Sequence, residues 1–300
     1  MRTCSSGRAA RQCLALLFVA LLPLQAWNGT GHRVIAAIAY DHLTSKAKAR
    51  VDELLRQHPD LGRMPSRAAF LAASVWPDTI KSDNRFYDDT LPDAKPTPLL
   101  PGFPTMERHT NWHYVDIPFS PDETPLEPAS SPNALIELNR ILKETSLTIY
   151  DLPWLVHLEG DVHQPLHCAS RFTKSQPKGD QGGNLVLVNP GRNLHSVWDG
   201  LAGSDSTDAY VDNYAAEVTV EFVKVNGSKP KLSLDPKNWV DEGFKLAQSE
   251  VYIFGNETGS RDHPIPLPEG YEAHARAIAR VQLAKAGFRL AAVLNAKLGH

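Results

Sequence analysis

The sequence contains little cysteine: three among 300 residues, at positions 4, 13 and 168. Since two of them lie within the first 26 residues, a chain that loses this segment keeps Cys168 alone and forms no internal disulfide. A run of ~20 apolar residues, which a membrane-spanning helix needs, is also missing. These absences exclude a disulfide-rich scaffold and argue against a stable membrane association.

An excess of positive charge is missing as well. The 31 lysines and arginines stand against 34 aspartates and glutamates, which gives a formal net charge of −3. The charge falls to −6 when the three arginines of the first 26 residues are removed. Composition therefore argues against a broad basic surface for nucleic acid, while 42% hydrophobic and 22% charged residues are typical of a globular chain.

The first 26 residues have the pattern of a secretory signal. The positively charged part contains Arg2, Arg8 and Arg11. An apolar run of about 12 residues follows over Cys13–Leu24, and Ala26 supplies a small residue for cleavage. A membrane anchor is the alternative, but it would need ~20 apolar residues. We predict a signal peptide over 1–26, cleavage before Trp27, a mature domain over 27–300, and a secreted or periplasmic protein.

Apolar residues at helical spacing predict a mainly α-helical protein. Two helices are expected within 31–57, and further helices near 132–146, 148–164, 208–224, 236–254 and 269–298. The stretch 83–132 holds ten prolines and should form long ordered loops. One short β-hairpin is predicted near 183–197, around the Asn-Pro-Gly turn at 189–191 and including Val197. Because no repeat or linker divides the chain, we predict a single helical domain.

Histidine and aspartate recur four residues apart in two places, at His157 and Asp161 and at His195 and Asp199. On a helix, residues at this spacing project from one face. Imidazole and carboxylate are ligands of hydrolytic zinc sites, so each pair could bind metal. For one pair alone, a simple hydrogen bond or ion pair on a helix surface is the commoner explanation.

Further candidates favour metal binding. His167 follows the first pair, His32 lies five residues after Trp27, Asp78 stands in Ser-Val-Trp-Pro-Asp, and His113 stands in Asn-Trp-His-Tyr-Val-Asp. An isolated histidine is usually only a hydrogen-bonding partner. Taken together, these motifs predict a metal site with several ligands.

The same motifs resemble those of the secreted zinc-dependent single-strand-specific nucleases and 3′-nucleotidases, a family related to bacterial zinc phospholipase C. The resembling segments are Trp27-Asn-Gly-Thr-Gly-His32, Trp76-Pro-Asp78-Thr-Ile-Lys81, Trp112-His113-Tyr-Val-Asp116, His157-Leu-Glu-Gly-Asp161-Val-His-Gln-Pro-Leu-His167, Gly182-Gly-Asn184 and His195-Ser-Val-Trp-Asp199. Beyond residue 200 only the helical pattern is similar. The resemblance implies the mainly α-helical fold of that family, with three zinc ions in a cleft.

The resemblance also implies three ligand sets. Asp78, His113, His157 and Asp161 would hold one zinc; His167, His195 and Asp199 would hold a second; the α-amino group and carbonyl of Trp27, His32 and a bridging Asp161 would hold the third. Only a free amine offers a nitrogen lone pair, so the third set requires cleavage immediately before Trp27. Zinc lowers the pKa of a bound water to ~7 and so provides a nucleophile at neutral pH.

By the same resemblance, five residues would act on the substrate. Asp78 would orient the attacking water, and Lys81 would neutralise phosphate charge. Tyr114, where the family commonly has phenylalanine, would stack on a base, and Asp116 would accept hydrogen bonds from its edge. Asn184 would donate to the phosphate. An exposed lysine and an ordinary turn asparagine are the alternatives for Lys81 and Asn184.

These expectations predict a monomeric hydrolase that cleaves single-stranded RNA and DNA to 5′-phosphorylated products and removes 3′-phosphate from mononucleotides, with phospholipid at most a secondary substrate. A zinc phospholipase C is one alternative, but it would need an apolar cleft, and Tyr114 and Asp116 favour the nuclease. A non-enzymatic helical zinc-binding protein is the other alternative. Structural zinc sites are closed by four protein ligands, whereas the set of His167, His195 and Asp199 has three.

Overall fold

The computed structural model describes residues 27–189 and 191–300, so the predicted signal peptide over 1–26 lies outside the described residues. Within these ranges the chain forms ten helices and four short strands, which confirms the prediction of a mainly α-helical fold. The helices are α1 (Gly29–Asp41), α2 (Ser45–Gln57), α3 (Ser66–Ala73), α4 (Trp76–Thr79), α5 (Ala134–Lys143), α6 (Asp151–Asp161), α7 (Leu194–Asp199), α8 (Asp208–Asn226), α9 (Pro236–Leu246) and α10 (Tyr271–Leu298). The strands are β1 (Ile117–Phe119), β2 (Ala169–Arg171), β3 (Leu187–Asn189) and β4 (Arg192–Asn193). None of the helices in the described ranges combines the length and the apolarity needed to cross a bilayer.

Helix α1 forms the centre of the core. Its sequence is apolar on nearly every side, and Val34, Ile35 and Ile38 are buried. A helix of this kind needs neighbours all round, and α1 packs against α3, α8 and α10. Gly287 of α10 permits this approach, because a Cβ there would lie 2.5 Å from the Cβ of Ile38. The packing fixes the N-terminal end of α1, where His32 stands.

Helix α6 is buried over its whole length. It lies among α1, α3, α4, α5 and α10. Most of its side chains are apolar, but His157, Glu159 and Asp161 are also without exposure. Burial of polar groups costs free energy unless partners compensate for it. This helix therefore indicates a polar site inside the core.

Two short strand pairs hold the loops around the core. β3 and β4 form an antiparallel hairpin, which confirms the one predicted near 183–197. The hairpin is shorter than predicted: the side chain of Asn193 accepts a hydrogen bond from the backbone N–H of Ser196 and begins α7, so Val197 is helical. The second pair, the parallel strands β1 and β2, aligns Ile117 with Ala169 and is an addition to the prediction of one hairpin.

The proline-rich stretch 83–132 consists mainly of loops, as predicted. Within it the structure has the 3₁₀ turn Thr110–His113 and strand β1. Further 3₁₀ turns cover Ile80–Ser82, Pro165–His167 and Gly200–Ala202, and Ala247–Val251 continues α9 as a π-helical turn. Helices α3 and α4, with eight and four residues, are too short for apolar periodicity to predict.

Candidate metal centre

Helix α6 and the turn after it bring the candidate ligands together. His157 lies one turn before Asp161, the last residue of α6. The 3₁₀ turn Pro165–His167 follows at once, since proline cannot continue a helix. A second 3₁₀ turn supplies His113, whose carbonyl oxygen accepts a hydrogen bond from His167 Nδ1 at 2.5 Å. Ligands from distant parts of the chain therefore meet at the end of one buried helix.

The first group consists of Asp78, His113, His157 and Asp161. His113 Nδ1 and His157 Nε2 lie 3.1 and 3.2 Å from Asp161 Oδ2 and 2.8 Å from each other. Asp78 Oδ1 lies 3.8 Å from both nitrogens. The structure thus brings together all four residues of this predicted set.

The third group shares Asp161 with the first group. It consists of Trp27, His32 and Asp161. His32 Nε2 lies 3.2 Å from Asp161 Oδ1, whereas His113 and His157 contact the other carboxylate oxygen, Oδ2. The His32 ring stacks on the His157 ring, with the ring centroids 4.1 Å apart. Trp27 is buried against the start of α1, where a Cβ at Gly31 would lie 2.7 Å from the Trp27 Cβ. Asp161 therefore faces His32 with one oxygen and faces His113 and His157 with the other.

The second group consists of His167, His195 and Asp199. The Nε2 atoms of His167 and His195 are 3.2 Å apart, and His195 Nε2 lies 3.5 Å from Asp199 Oδ2. Helix α7 places His195 and Asp199 one turn apart, as their spacing predicts. All three residues are buried.

The atoms of these groups fit metal ions. Ligands of a tetrahedral zinc lie ~2.1 Å from the ion and so about 3.4 Å from one another. Most of the separations within the groups are close to this distance. His32 Nε2 and Asp161 Oδ1 are buried and 3.2 Å apart, yet neither has a hydrogen-bond partner among the described residues. Buried polar atoms without such a partner are rare. A cation between them would satisfy both atoms.

Backbone carbonyls fix the orientation of three of the imidazoles. His157 Nδ1 lies 2.7 Å from the carbonyl oxygen of Ser74, and His195 Nδ1 lies 2.7 Å from that of Gly182. His167 makes the corresponding bond to His113, as described above. A carbonyl oxygen only accepts, so Nδ1 carries a proton in each ring, and the neutral form of each ring presents the lone pair of Nε2 to the group. Outer hydrogen bonds of this kind are typical of histidines that bind metal.

Charges within the first group keep its carboxylates ionised. Burial raises the pKa of a carboxyl, but neighbouring histidines, His157 above all, hold the pKa of Asp161 well below its ordinary value. For Asp78 the same effect of burial is outweighed mainly by Lys81, and its pKa is also lowered. Burial lowers the pKa of His113 to about 3. This imidazole is therefore neutral at pH 7, as a metal ligand must be.

The second group lacks such compensation among the described residues. Burial raises the pKa of Asp199 well above its ordinary value, and the amide of Gln164 opposes this only in part. Burial also lowers the pKa of His167. A cation bound here would stabilise the ionised carboxylate of Asp199 and would not compete with a proton on the imidazole.

The candidate substrate residues lie beside these groups. Lys81 Nζ is 2.7 Å from Asp78 Oδ1, and the side chain is only 8% exposed, which argues against a surface lysine. Tyr114 and Asp116 are half-buried next to His113. Asp116 has a φ of +53°, which is uncommon for a residue other than glycine. Burial, with a contribution from Asp180, raises the pKa of Asp116 to about 8.

Asn184 stands in a turn and uses its side chain there. Its Nδ2 donates to the carbonyl oxygen of Gln181 at 2.8 Å, and its Oδ1 lies 3.5 Å from Asn193 Nδ2. These contacts are those of the ordinary turn asparagine that the sequence leaves as an alternative. Gly182, two residues before Asn184 in the same turn, accepts the hydrogen bond from His195 Nδ1 at 2.7 Å.

Sequence reasoning missed several residues around the site. Gln164 donates to Asp199 Oδ1 at 2.8 Å, and only its place inside the histidine-rich motif could have indicated this.

Near the surface, Asp89, Glu107 and His109 form a further group of the composition that can hold a cation. His109 Nδ1 lies 3.4 Å from Glu107 Oε2, and no pattern in the sequence marks this group.

Fold and site together define a class: a mainly α-helical protein whose core contains histidine and aspartate groups suited to metal ions. Comparison with known proteins gives the family. The S1/P1 Nuclease family model matches residues 27–299. Endonuclease 3 of Arabidopsis thaliana is 25% identical over 294 residues, which cover 90% of this chain and 88% of that protein. Nuclease S1 of Aspergillus oryzae is 23% identical over 297 residues, which cover 90% and 91%.

The chain belongs to the S1/P1 nuclease family. This membership confirms the family resemblance that the sequence motifs indicate. Family membership and the nuclease names of the relatives support a hydrolase that acts on nucleic acid. The fold, the class of enzyme and the suitability of the site for metal therefore agree.

Proposed function

We propose that this protein is a zinc-dependent phosphodiesterase that cleaves single-stranded RNA and DNA to 5′-phosphorylated products and removes the 3′-phosphate of mononucleotides. The observation that carries the proposal is the second group, His167, His195 and Asp199, beside two groups that share Asp161. Three protein ligands leave a coordination position for water or substrate, which is typical of catalytic zinc. The same observation argues against a zinc-binding protein with purely structural ions.

We assign three zinc ions, one to each group, with Trp27 contributing its α-amino nitrogen and carbonyl oxygen. Zinc, when bound, would supply Lewis acidity and a water of lowered pKa. Three ions would add a charge of +6 to a region whose ligands Asp78, Asp161 and Asp199 carry −3. This local positive charge would attract phosphate although the whole chain is acidic.

The chain's own residues would position the substrate. Lys81, held against Asp78, would neutralise charge that develops on the phosphate. Tyr114 would stack on an unpaired base and Asp116 would contact its edge, and both require a base that is free of its complementary strand. Asn184 would donate to the phosphate after releasing the carbonyl of Gln181. Such a site favours single strands over duplexes.

The proposal includes maturation and location. The family match begins at Trp27, where the sequence pattern predicts signal cleavage. We propose that residues 1–26 are a signal peptide, that residues 27–300 form the mature enzyme, and that this enzyme acts as a monomer in the periplasm or outside the cell.

The test is a zinc count and a substrate panel on the mature chain. Zinc is measured by elemental analysis. Activity is assayed on single-stranded RNA, single-stranded DNA, duplex DNA, a 3′-mononucleotide and phosphatidylcholine. We expect about three zinc ions, cleavage of both single strands and dephosphorylation of the mononucleotide. His195→Ala should lose zinc and activity, whereas His263→Ala, on an exposed loop, should retain both. Fewer than two zinc ions, or cleavage of phosphatidylcholine alone, would contradict the proposal.

A further inference from the structure

Gln164 is buried completely between two parts of the second group. Its side-chain Nε2 donates to Asp199 Oδ1 at 2.8 Å. Its Oε1 accepts from the backbone N–H of Leu166 at 2.6 Å, within the 3₁₀ turn that carries His167. One side chain thus connects the turn of one ligand to the carboxylate of another.

The backbone of Gln164 contacts two further ligands. Its N–H donates to the carbonyl oxygen of Asp161 at 3.0 Å, and its carbonyl oxygen accepts from the N–H of His167, also at 3.0 Å. The end of α6 and the turn of the second group are therefore held in register at this residue. Gln164 is not among the residues proposed to bind metal or substrate.

The orientation of the amide follows from its partners. The N–H of Leu166 only donates, so the group that faces it is the amide oxygen, and the NH₂ group faces Asp199. Asp199 Oδ1 is thereby engaged, while Oδ2 remains 3.5 Å from His195 Nε2. A neutral donor fixes the carboxylate without cancelling its charge, which a lysine or arginine would do.

We propose that Gln164 is a positioning residue that presents a single oxygen of Asp199, Oδ2, to a zinc ion in the second group. The inference depends on the proposed function, because it concerns one of the three zinc groups. Loss of an outer partner of a metal ligand typically costs 10–100-fold in metal affinity. The loss should be confined to the second group, since the ligands of the other two groups keep their own contacts.

The experiment compares Gln164→Met with Gln282→Met. Gln282 of α10 is also a buried glutamine, and its Nε2 makes one long bond of 3.4 Å to the carbonyl oxygen of His163. Zinc-free protein is titrated with zinc against a chromophoric chelator, and circular dichroism verifies folding. We expect Gln164→Met to bind one zinc 10–100-fold more weakly and the others as before, and Gln282→Met to match the wild type. Gln164→Asn, an amide one methylene too short to span both partners, should behave like Gln164→Met and replaces it if that variant does not fold.

His195→Ala, titrated in parallel, distinguishes a failure of the positioning role from a failure of the proposed function. If His195→Ala loses one zinc and the Gln164 variants bind all zinc as tightly as the wild type, the positioning role is wrong and the proposed function stands. If His195→Ala retains every zinc, the ligand assignment of the proposed function is itself wrong. An equal weakening of all sites by Gln164→Met or Gln164→Asn would also overturn the positioning role, because it would indicate a general structural effect.

Discussion

Asp161 is the residue at which the most contacts of the site converge. One carboxylate oxygen faces His32, and the other faces His113 and His157. An amide could replace the shape of this side chain but not its charge or its two equivalent oxygens. The division of the two oxygens between two groups is the physical basis for assigning it as a bridge.

We therefore expect Asp161→Asn to lose the zinc of the first and third groups and to lower kcat/KM on single-stranded RNA more than ~100-fold, beyond the cost of losing an outer partner. Elemental analysis and initial rates measure the two effects. The control is Asp262→Asn, at an exposed loop position. Retention of zinc and activity by Asp161→Asn would contradict the ligand assignment.

Gly182 supports the second group through its backbone. Its φ is +59°, and a Cβ would collide with the carbonyl oxygen of Leu166 and lie 3.4 Å from His195 Nδ1. Gly191 has a φ of +76°, and no atom of the described residues, its chain neighbours aside, lies within 4 Å of the added Cβ, so Gly191→Ala reports backbone strain alone. We expect Gly182→Ala to lower the free energy of unfolding by about 2 kcal/mol more than Gly191→Ala does. Equal losses in urea unfolding would show that the collision is relieved by local movement.

At this scale the sequence predicts the identity of the ligands but not the contacts that orient them. Histidines and aspartates are recognisable as a set, because few other residue types bind zinc, although a single histidine is usually only a hydrogen-bonding partner. The bond from Gln164 to Asp199 joins residues 35 positions apart, and the carbonyl of Ser74 lies 83 positions from His157. Neither the residue type nor the spacing of an amide or a backbone carbonyl marks it as the partner of a metal ligand. Only the folded structure therefore reveals these contacts.

Among the elements, α1 and α10 form the contact that sets the position of His32. Gly287→Ala would place a methyl group 2.5 Å from Ile38 Cβ and 3.2 Å from the carbonyl oxygen of Ile35. Such overpacking costs about 1–3 kcal/mol and exceeds the gain in helix propensity. We expect a net loss of up to about 2 kcal/mol in urea unfolding. Gly200→Ala, where the added Cβ meets no atom within 4 Å in the part of the chain that the structure describes, should leave stability unchanged. An equal loss in Gly200→Ala would contradict the packing argument.

Long helices are predictable from the sequence, and short strands are not. The prediction of a helix over 269–298 agrees with α10 because apolar residues recur over seven turns. β1 and β2 have three residues each and pair over about 50 positions, which leaves no periodic signal. Yet this pair matters for the site: Asp116 precedes β1, and its N–H donates to the carbonyl oxygen of His167 at 3.4 Å.

For the molecule as a whole, buried neutral histidines predict acid sensitivity. Burial lowers the pKa of His58 to about 4 from its ordinary value of 6.5. The unfolded chain therefore binds a proton that the folded chain does not, between pH 6.5 and pH 4. Stability contributed by neutral His58 is present above pH 6.5 and is lost as the pH falls through this window. At pH 5 the loss is about 2 kcal/mol for this residue.

His58→Phe should reduce the difference in unfolding free energy between pH 7 and pH 5 by about 2 kcal/mol. Urea unfolding in the presence of a chelator measures it, because metal loss then contributes at neither pH. The exposed His263→Phe should leave the difference unchanged. An undiminished difference in His58→Phe would assign the acid sensitivity to other groups.

Maturation is the last property of the whole molecule that the site makes testable. In the proposed third group, Trp27 supplies its α-amino nitrogen, and an amide nitrogen at the same place has no lone pair to donate. A chain that begins at Trp27 should therefore bind three zinc ions, while a chain with one added alanine before Trp27 should bind the third at least 10-fold more weakly, as expected for a lost metal contact. Zinc titration of the two purified chains measures this, and thermal unfolding without zinc verifies that both fold. Equal affinities would mean that His32 and Asp161 hold the ion without the terminal amine, and that metal binding does not require the proposed cleavage before Trp27.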